Sequence, residues 1–168
     1  VIVFADGLFE QHMCVELAAN NNGKMEALRI KTIADHGYTD AAANPSKFPA
    51  GMFSICTGSY DIKTAFTEMD AYYTNKPPGG IAYRCSFRVT EAVHAIERIV
   101  DVLANKLGRD PADLRMQNFI QPDEFPYQSA LGWEYDSGDY PRALKLAMEK
   151  IGYEDLRNEQ KEKRFKGE

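Results

Sequence analysis

The spacing of apolar residues changes once along this 168-residue chain, and that change limits the folds open to it. Before residue 79, apolar residues alternate with polar ones, as is typical of half-buried strands. After residue 88 they recur at intervals of three and four, as is typical of a helix with one apolar face. Strands first and helices second is the pattern of α+β proteins. We therefore predict antiparallel strands in the first half of the chain, with the helices of the second half packed on one face.

Two alternating segments near the start predict a hairpin. They lie at residues 12–19 and 25–34, and Asn22-Gly23 stands between them. Asn-Gly between alternating segments strongly favours a tight turn that joins two antiparallel strands. A further strand is predicted from Thr64 to Thr74, after a long connection at 35–58 that has no steady period and is rich in glycine, proline, asparagine and serine.

Capping residues divide the second half of the chain into helices. An amphipathic helix is predicted from Val89 to Leu107, and Gly108 supplies its C-terminal stop. Asp110-Pro111 is the start signal of a second, short helix, with an aspartate cap followed by proline at the first helical position. A third helix is predicted over residues 139–151, and a charged, solvated helix follows from Glu154.

Composition and length set the class of protein. With 44% hydrophobic and 27% charged residues, the chain is typical of a globular domain with a real core. A net charge of −5, with no basic face or Lys/Arg-rich run before the last dozen residues, argues against nucleic-acid binding. No apolar run is long enough to cross a bilayer. Because the chain begins inside an apolar run at Val1, we interpret residues 1–168 as one internal fragment of a larger protein. Its strand-rich part is 12–75, its candidate site loop 79–88 and its helical part 89–166.

The chain has three cysteines, Cys14, Cys56 and Cys85. An odd count and wide spacing indicate reduced thiols in a cytosolic protein, not a disulfide framework. No pair has the spacing of zinc ligands, so a zinc site formed by this chain alone is not expected. His36 and His94 are interpreted as structural residues, the second at the boundary of an apolar helix face.

Cys85 lies between Arg84 and Arg88, just before the long predicted helix. Nearby cations and the helix N-terminus favour the thiolate form. The residues themselves leave three interpretations open: a buried small hydrophobe, a nucleophile that needs a base not identifiable in the sequence, or a soft ligand for Cu(I). One thiolate alone is a poor metal site, so the third interpretation needs a second ligand from outside the chain.

The loop sequence resembles that of a known enzyme family. Residues 82–88, Ala-Tyr-Arg-Cys-Ser-Phe-Arg, resemble the active-site loop of the large subunits of aerobic, copper- and molybdenum-containing carbon monoxide dehydrogenases. These are a branch of the xanthine dehydrogenase/aldehyde oxidase family. The resemblance runs from about Met13 through further segments at 34–37, 45–47, 55–61, 73–76, 88–93, 118–122 and 131–138.

The resemblance implies a copper–molybdenum site. In that family the loop cysteine binds Cu(I), and a sulfide bridges copper to molybdenum held by molybdopterin cytosine dinucleotide. Cys85 is then the metal ligand and a catalytic residue, together with Arg84, which would donate toward the molybdenum ligands, and Phe87, which would restrict the pocket to a small substrate. The cofactor-binding candidates are Tyr83, Ser86 and Arg88.

The same resemblance implies the setting of the reaction. The parent enzyme would oxidise CO with water to CO2 and work with an FAD-binding medium subunit and a [2Fe–2S] small subunit, as a dimer of heterotrimers. It would be cytoplasmic, including at the inner face of the cell membrane. The family's glycine-rich cofactor segments and its glutamate near molybdenum are not found in these residues, so the isolated fragment is expected to be inactive. Residues 1–10 also depart from the family pattern.

Two alternatives remain. Aldehyde or purine hydroxylase subunits of the same family carry a loop of the type Ala-Tyr-Arg-Gly-Ala-Gly-Arg, which has no thiol. Cys85-Ser86-Phe87 therefore favours CO as the substrate. The other alternative is a non-catalytic module that only packs against partner subunits, with its cysteines in the core.

Overall fold

The computed structural model describes residues 2–6, 9–38, 54–76 and 89–167. The strands of its main sheet are β1 (Ile2–Asp6), β2 (Phe9–Ala19), β3 (Met25–Gly37) and β4 (Thr64–Tyr73). The helices that follow are α1 (Val89–Leu107), α2 (Pro111–Asn118), α3 (Tyr140–Ile151) and α4 (Tyr153–Lys166). A 3-10 turn (Pro122–Glu124) and the short strands β5 (Tyr127–Gln128) and β6 (Glu134–Tyr135) lie between α2 and α3. The predicted α+β class is confirmed.

The predicted hairpin forms the centre of the main sheet. β2 and β3 are antiparallel, with Val15 opposite Ile30 and Leu17 opposite Leu28. In the turn, Gly23 has φ +87° and its N–H donates to the Asn20 carbonyl at 2.9 Å. Glycine suits this position because it adopts positive φ at little steric cost. The alternation of residues 12–19 and 25–34 therefore identified both strands and their pairing.

The sheet is mixed, which differs from the antiparallel arrangement expected for all of it. The strand order is β1-β2-β3-β4; β1 and β3 both run antiparallel to β2, but β4 runs parallel to β3. Parallel neighbours need a long crossover connection, and residues 38–63 supply it. Alternation predicts a strand but not its direction, so this difference was not visible in the pattern. β1 was not predicted at all.

The core lies between the sheet and the first two helices. The buried face of α1 consists of Ala92, Ala95, Ile96, Val100 and Ala104. They belong to one core cluster with residues of β2 and β3 and with Leu114 of α2. The apolar spacing from Val89 to Leu107 is thus confirmed as a helix with one buried face. By contrast, α3 and α4 contain no buried residue. None of the described helices has the length and apolar character needed to cross a membrane.

Asn118 ties α2 to the hairpin turn. Its side chain is fully buried, accepts from the Met25 N–H at 2.8 Å and donates to the Gly23 and Leu114 carbonyls at 2.9 and 2.8 Å. Its own carbonyl accepts from the Asp61 N–H at 2.8 Å. Buried polar groups are costly unless they are hydrogen-bonded, and here each one has a partner. The network fixes α2 against the end of the sheet.

A second polar contact holds the residues before β4. The side chain of Asp61 is 10% exposed, pairs with Lys24 at 3.0 Å and with Lys63, and accepts from the Tyr127 hydroxyl at 2.9 Å. Burial alone would raise the pKa of Asp61, but hydrogen bonds from Lys63, Lys24 and Tyr127 outweigh it and hold the pKa below its ordinary value of 3.8. Asp61 is therefore charged in the folded protein at neutral pH.

Replacing Asp61 with asparagine is expected to destabilise the protein by about 1 kcal/mol at pH 7, since both lysines are partly exposed and screened. A carboxyl whose folded pKa is lowered contributes stability above its unfolded pKa of about 3.9, and this is lost as pH falls through the folded pKa. The difference between wild type and D61N should therefore shrink below about pH 4. Thermal unfolding midpoints measured from pH 7 to pH 3.5 test this.

Glu159→Gln is the control, because the pair of Glu159 with Lys163 is exposed on both sides. It should change the unfolding midpoint little at any pH. A D61N deficit that stays constant down to pH 3.5 would contradict the assignment of Asp61 as a charged, paired group.

Candidate functional site

The predicted site residues, Tyr83 to Arg88, lie outside the described residues, together with the rest of 77–88. What the structure describes is the chain on either side of them. On the N-terminal side the chain leaves β4 through Thr74, Asn75 and Lys76. On the C-terminal side it enters α1 at Val89. Contacts among the described residues show how the fold holds each of these two flanks.

Asp35, near the end of β3, fixes the N-terminal flank. Its Oδ1 accepts from the Gly37 N–H at 2.8 Å and from the Thr74 hydroxyl at 2.6 Å. Its Oδ2 lies 3.1 Å from the Lys76 Nζ. The backbone adds two bonds, Thr74 N–H to the Gly37 carbonyl at 2.9 Å and Tyr38 N–H to the Lys76 carbonyl at 3.0 Å. We refer to Asp35, Gly37, Thr74 and Lys76 as the Asp35 cluster.

The Asp35 cluster keeps its carboxylate charged. The hydrogen bond from Thr74 is the largest influence and lowers the pKa of Asp35; burial opposes it, and the Gly37 N–H and Lys76 lower the pKa further. The side chain of Asp35 is only 15% exposed. Hydrogen bonds to an ionised acceptor are stronger than those between neutral groups, so the cluster is a firm attachment point.

The C-terminal flank is fixed by a polar contact on α1. The buried Tyr60 donates its hydroxyl to both carboxylate oxygens of Glu97 at 2.9 Å, and Arg115 of α2 donates its Nε–H to Glu97 at 2.8 Å. Arg115 also pairs with Asp101 at 2.9 Å. Burial, and then the negative charge of Glu97, raises the pKa of Tyr60, which keeps the phenol protonated as a donor. Helix α1, which follows residues 77–88, is therefore held by hydrogen bonds from Tyr60 and from Arg115 of α2.

Among the other residues considered from the sequence, the structure describes the side chains of Cys14, Cys56 and His94. Cys56 is fully buried, and burial raises the pKa of its thiol to about 12, so it is an inert core residue. Cys14 is partly buried on β2, and both thiols are free, as the sequence predicted. His94 is exposed on α1, whereas the side chain of His36 lies outside the described part of the chain. Among the described residues, no three histidine, cysteine, aspartate or glutamate side chains are grouped to hold a metal.

An open cleft of about 1040 Å³ lies between α1, α2 and α4. Six cationic side chains line it, namely Arg98, Lys106, Arg109, Arg157, Lys161 and Arg164. Its two carboxylates, Asp101 and Asp110, already pair with Arg115 and Arg157 at 2.9 and 2.8 Å. Among the described residues the lining contains no cysteine, histidine or hydroxyl side chain. The cleft therefore attracts negative charge, and its two carboxylates are already engaged in ion pairs.

Residues 5–119 match the family model of the molybdopterin cofactor-binding domain. The chain belongs to this family. The match contains the main sheet from Ala5 onward, α1, α2 and the loop with Cys85. Helices α3 and α4 follow the matched range.

Two relatives of this cofactor-binding domain are close in sequence. Over 154 residues it is 60% identical to the carbon monoxide dehydrogenase large chain of Afipia carboxidovorans, covering 92% of this chain and 19% of the relative. It also matches a crystal structure of Cu,Mo-CO dehydrogenase in the carbon monoxide reduced state, with a TM-score of 0.86, 59% identity and coverage of 92% of this chain and 20% of the other. The chain thus spans about one fifth of the length of these relatives.

A more distant relative shares the fold. Quinoline 2-oxidoreductase from Pseudomonas putida 86 matches with a TM-score of 0.82 at 29% identity, over 94% of this chain and 20% of that one. The resemblance drawn from the loop and its flanking segments is therefore confirmed, both for the carbon monoxide dehydrogenase large chain and for the wider group of molybdenum hydroxylases.

The Asp35 cluster was not identified from the sequence. Two local signals for it exist: an aspartate two residues before a glycine, which is a turn pattern, and a threonine two residues before a lysine at the end of β4. Nothing in either pattern shows that the two segments meet. They meet because β3 and β4 are parallel and end at the same edge of the sheet.

Proposed function

We propose that this domain is part of an aerobic carbon monoxide dehydrogenase, with Cys85 as the ligand of Cu(I). The observation that carries the proposal is the 60% identity to a carbon monoxide dehydrogenase large chain along 92% of this chain. The crystal structure with 59% identity is named as a copper and molybdenum enzyme. Cys85 lies in the segment whose sequence resembles the family's active-site loop.

The donor chemistry of the chain fits copper at this loop. Cu(I) prefers soft thiolate ligands, and Cys85 is such a donor between two arginines. The described residues provide no alternative cluster of metal ligands, and Cys56 is buried with a raised pKa. A single thiolate leaves at least one ligand to be supplied by the molybdenum cofactor, in keeping with the family to which the domain belongs.

When bound, the copper–molybdenum centre supplies the oxidation of CO with water to CO2, two protons and two electrons. In our proposal the residues of this chain hold and shape that centre. Arg84 and Arg88 would favour the thiolate form of Cys85 through their charge, and Arg84 would donate hydrogen bonds toward the molybdenum ligands. Phe87 would exclude substrates larger than CO, whereas Tyr83, Ser86 and Arg88 would contact the cofactor.

The proposal extends to the parent assembly. The molybdenum cofactor would be the cytosine dinucleotide form, and the two electrons would pass to a [2Fe–2S] small subunit and an FAD-binding medium subunit. The assembly would be a dimer of heterotrimers, located in the cytoplasm and at the inner face of the cell membrane. These statements rest on the similarity to the carbon monoxide dehydrogenase large chain.

A molybdenum hydroxylase of another specificity is the second candidate. It is favoured by the similarity to quinoline 2-oxidoreductase, whose TM-score of 0.82 is nearly that of the copper–molybdenum enzyme. The loop decides between the two, since hydroxylase loops of the type Ala-Tyr-Arg-Gly-Ala-Gly-Arg have no thiol for copper. Cys85-Ser86-Phe87 therefore favours CO.

Metal analysis and substrate tests on the full-length enzyme, produced with its partner subunits, distinguish these functions. We expect copper and molybdenum in equal amounts and dye reduction that depends on CO. Molybdenum without copper, with turnover of a heteroaromatic compound or an aldehyde, would establish the second candidate instead. A protein with neither metal and no turnover would support the purely structural role.

A further inference from the structure

We propose that Asp35 is a positioning residue for the Cys85 loop: through Thr74 and Lys76 it fixes the point at which residues 77–88 leave the sheet. This inference rests on the proposed function only in naming copper as the metal that the loop binds. That the chain is held here follows from contacts among described residues.

The contacts extend beyond the end of the strand ladder. The ladder between β3 and β4 ends where Gly37 is opposite Tyr73. After it, the Thr74 N–H still bonds to the Gly37 carbonyl, and the Tyr38 N–H bonds to the Lys76 carbonyl. The Asp35 carboxylate supplies the side-chain partner at each step, from Gly37 through Thr74 to Lys76. The chain is therefore held up to the residue that immediately precedes 77.

The carboxylate of this cluster differs from the acid that pairs across the same two strands, Glu68, in its burial and in its number of donors. Glu68 of β4 faces Arg29 and Lys31 at 3.8 and 3.3 Å, with 57% and 49% of the two cations exposed. Exposed pairs of this kind contribute little. The Asp35 carboxylate is 15% exposed, against 35% for Glu68, and it accepts two hydrogen bonds besides its pair with Lys76 at 3.1 Å. Lys76 is itself 53% exposed, so the burial of the carboxylate and its two hydrogen bonds distinguish the cluster, not the ion pair. Of these two acids, only Asp35 connects its own strand, β3, to the chain that continues beyond the end of β4.

This attachment acts at one end of the loop, and α1 acts at the other. Residues 77–84 separate Lys76 from Cys85, so the ligand is close enough in sequence to depend on where the segment starts. Residues that orient a metal ligand without touching the metal typically change metal affinity or activity by about 10- to 100-fold when replaced. Those values apply to groups bonded directly to the ligand, whereas Asp35 is proposed to act through the chain that starts at Lys76, so we expect a smaller effect on copper, of about 3- to 10-fold, and none on molybdenum content.

The test is Asp35→Asn in the full-length holoenzyme. Asparagine keeps an acceptor oxygen for Gly37 and Thr74 but removes the charge that pairs with Lys76. We expect amide hydrogen exchange in 77–88 to accelerate by about tenfold or more, because the local opening free energy falls. The copper dissociation constant should rise about 3- to 10-fold, measured by competition with a Cu(I) chelator, while molybdenum content stays unchanged. Thr74→Val removes one hydrogen-bond donor to Asp35 at nearly constant volume, so exchange in 77–88 and the copper dissociation constant should both rise, but less than in D35N. This variant replaces D35N in the test if D35N folds poorly.

Asp110→Asn is a matched control. Asp110 accepts from the Ala112 N–H at 2.8 Å and the Tyr153 hydroxyl at 3.0 Å, and it pairs with Arg157 at 2.8 Å, so it has the same three kinds of donor. It caps α2 and lies outside the Asp35 cluster. D110N should lower stability but leave exchange in 77–88 and copper affinity at wild-type values.

The outcomes separate the two proposals. Unchanged exchange in 77–88 in both D35N and T74V would overturn the role of Asp35, whatever the enzyme oxidises. Equal effects of D35N and D110N on that exchange would overturn it too, because a general loss of stability would then explain both. If the wild-type enzyme contains no copper and exchange in 77–88 is faster only in D35N and T74V, the positioning role is supported and the copper assignment is refuted.

Discussion

Cys85→Ser is expected to remove copper from the full-length enzyme and to abolish CO oxidation, while the molybdenum content stays largely intact. Serine has nearly the same shape, but its hydroxyl stays protonated at neutral pH and is a hard oxygen donor, whereas Cu(I) requires a soft thiolate. Molybdenum would remain because the proposal assigns Cys85 to copper alone. Elemental analysis of copper and molybdenum on the purified variant, with CO-dependent dye reduction, measures both effects.

Cys14→Ser is the control for this experiment. Cys14 is a free, partly buried thiol on β2 and has no place in the proposed site. C14S should keep equal amounts of copper and molybdenum and full activity with CO. If C85S retained copper at the wild-type ratio, Cys85 would not be the ligand and the assignment would fail.

Asn118→Ala is expected to destabilise the protein by about 3 kcal/mol or more, the largest stability effect that the described residues suggest. It removes the acceptor of the Met25 N–H and the donor to the Gly23 carbonyl, and both backbone groups are buried. Each buried group left without a partner costs about 1–3 kcal/mol, and a cavity adds to that cost. Hydrogen exchange of the Met25 amide reports the change directly, and the thermal unfolding midpoint should fall with it.

Gln117→Ala is a matched control for N118A. Gln117 is the preceding residue on α2, carries the same amide group and donates to the Asn22 carbonyl in the same turn at 3.2 Å, but it is exposed. Exposed groups exchange one partner for water at little cost, so Q117A should change the free energy of unfolding by less than about 0.5 kcal/mol. Equal losses from Q117A and N118A would show that burial of the Asn118 network does not stabilise the fold.

Local sequence signals predicted the elements whose formation depends on neighbours along the chain. The alternation at 12–19 and 25–34 with Asn22-Gly23 between them predicted the β2–β3 hairpin. Apolar spacing from Val89 to Leu107 predicted α1, and Asp110 caps α2 as expected by accepting from the Ala112 N–H. In each case the deciding interaction lies within a few residues.

The pairing between separate segments could not be predicted from the apolar pattern of each segment. β1 was not predicted, since its residues depart from the family sequence and it is defined by pairing with β2, from Ile2 opposite Met13 to Asp6 opposite Phe9. The parallel direction of β4 also depends on where the crossover at 38–63 delivers the chain. Neither the pairing of β1 nor the direction of β4 can be deduced from alternation within a single segment.

The sequence itself supplies the proposed chemistry of the candidate site: a soft thiol at Cys85, flanked by Arg84 and Arg88, in a segment that resembles the loop of one enzyme family. Only the tertiary structure decided what holds the chain that leads into this loop, up to Lys76. Asp35 and Thr74 are 39 residues apart, and neither local pattern indicates a contact between them. They meet because β3 and β4 are parallel and their ladder, which shifts register between Asp35 and Gly37, ends at one edge of the sheet, where a carboxylate on one strand reaches the chain leaving the other.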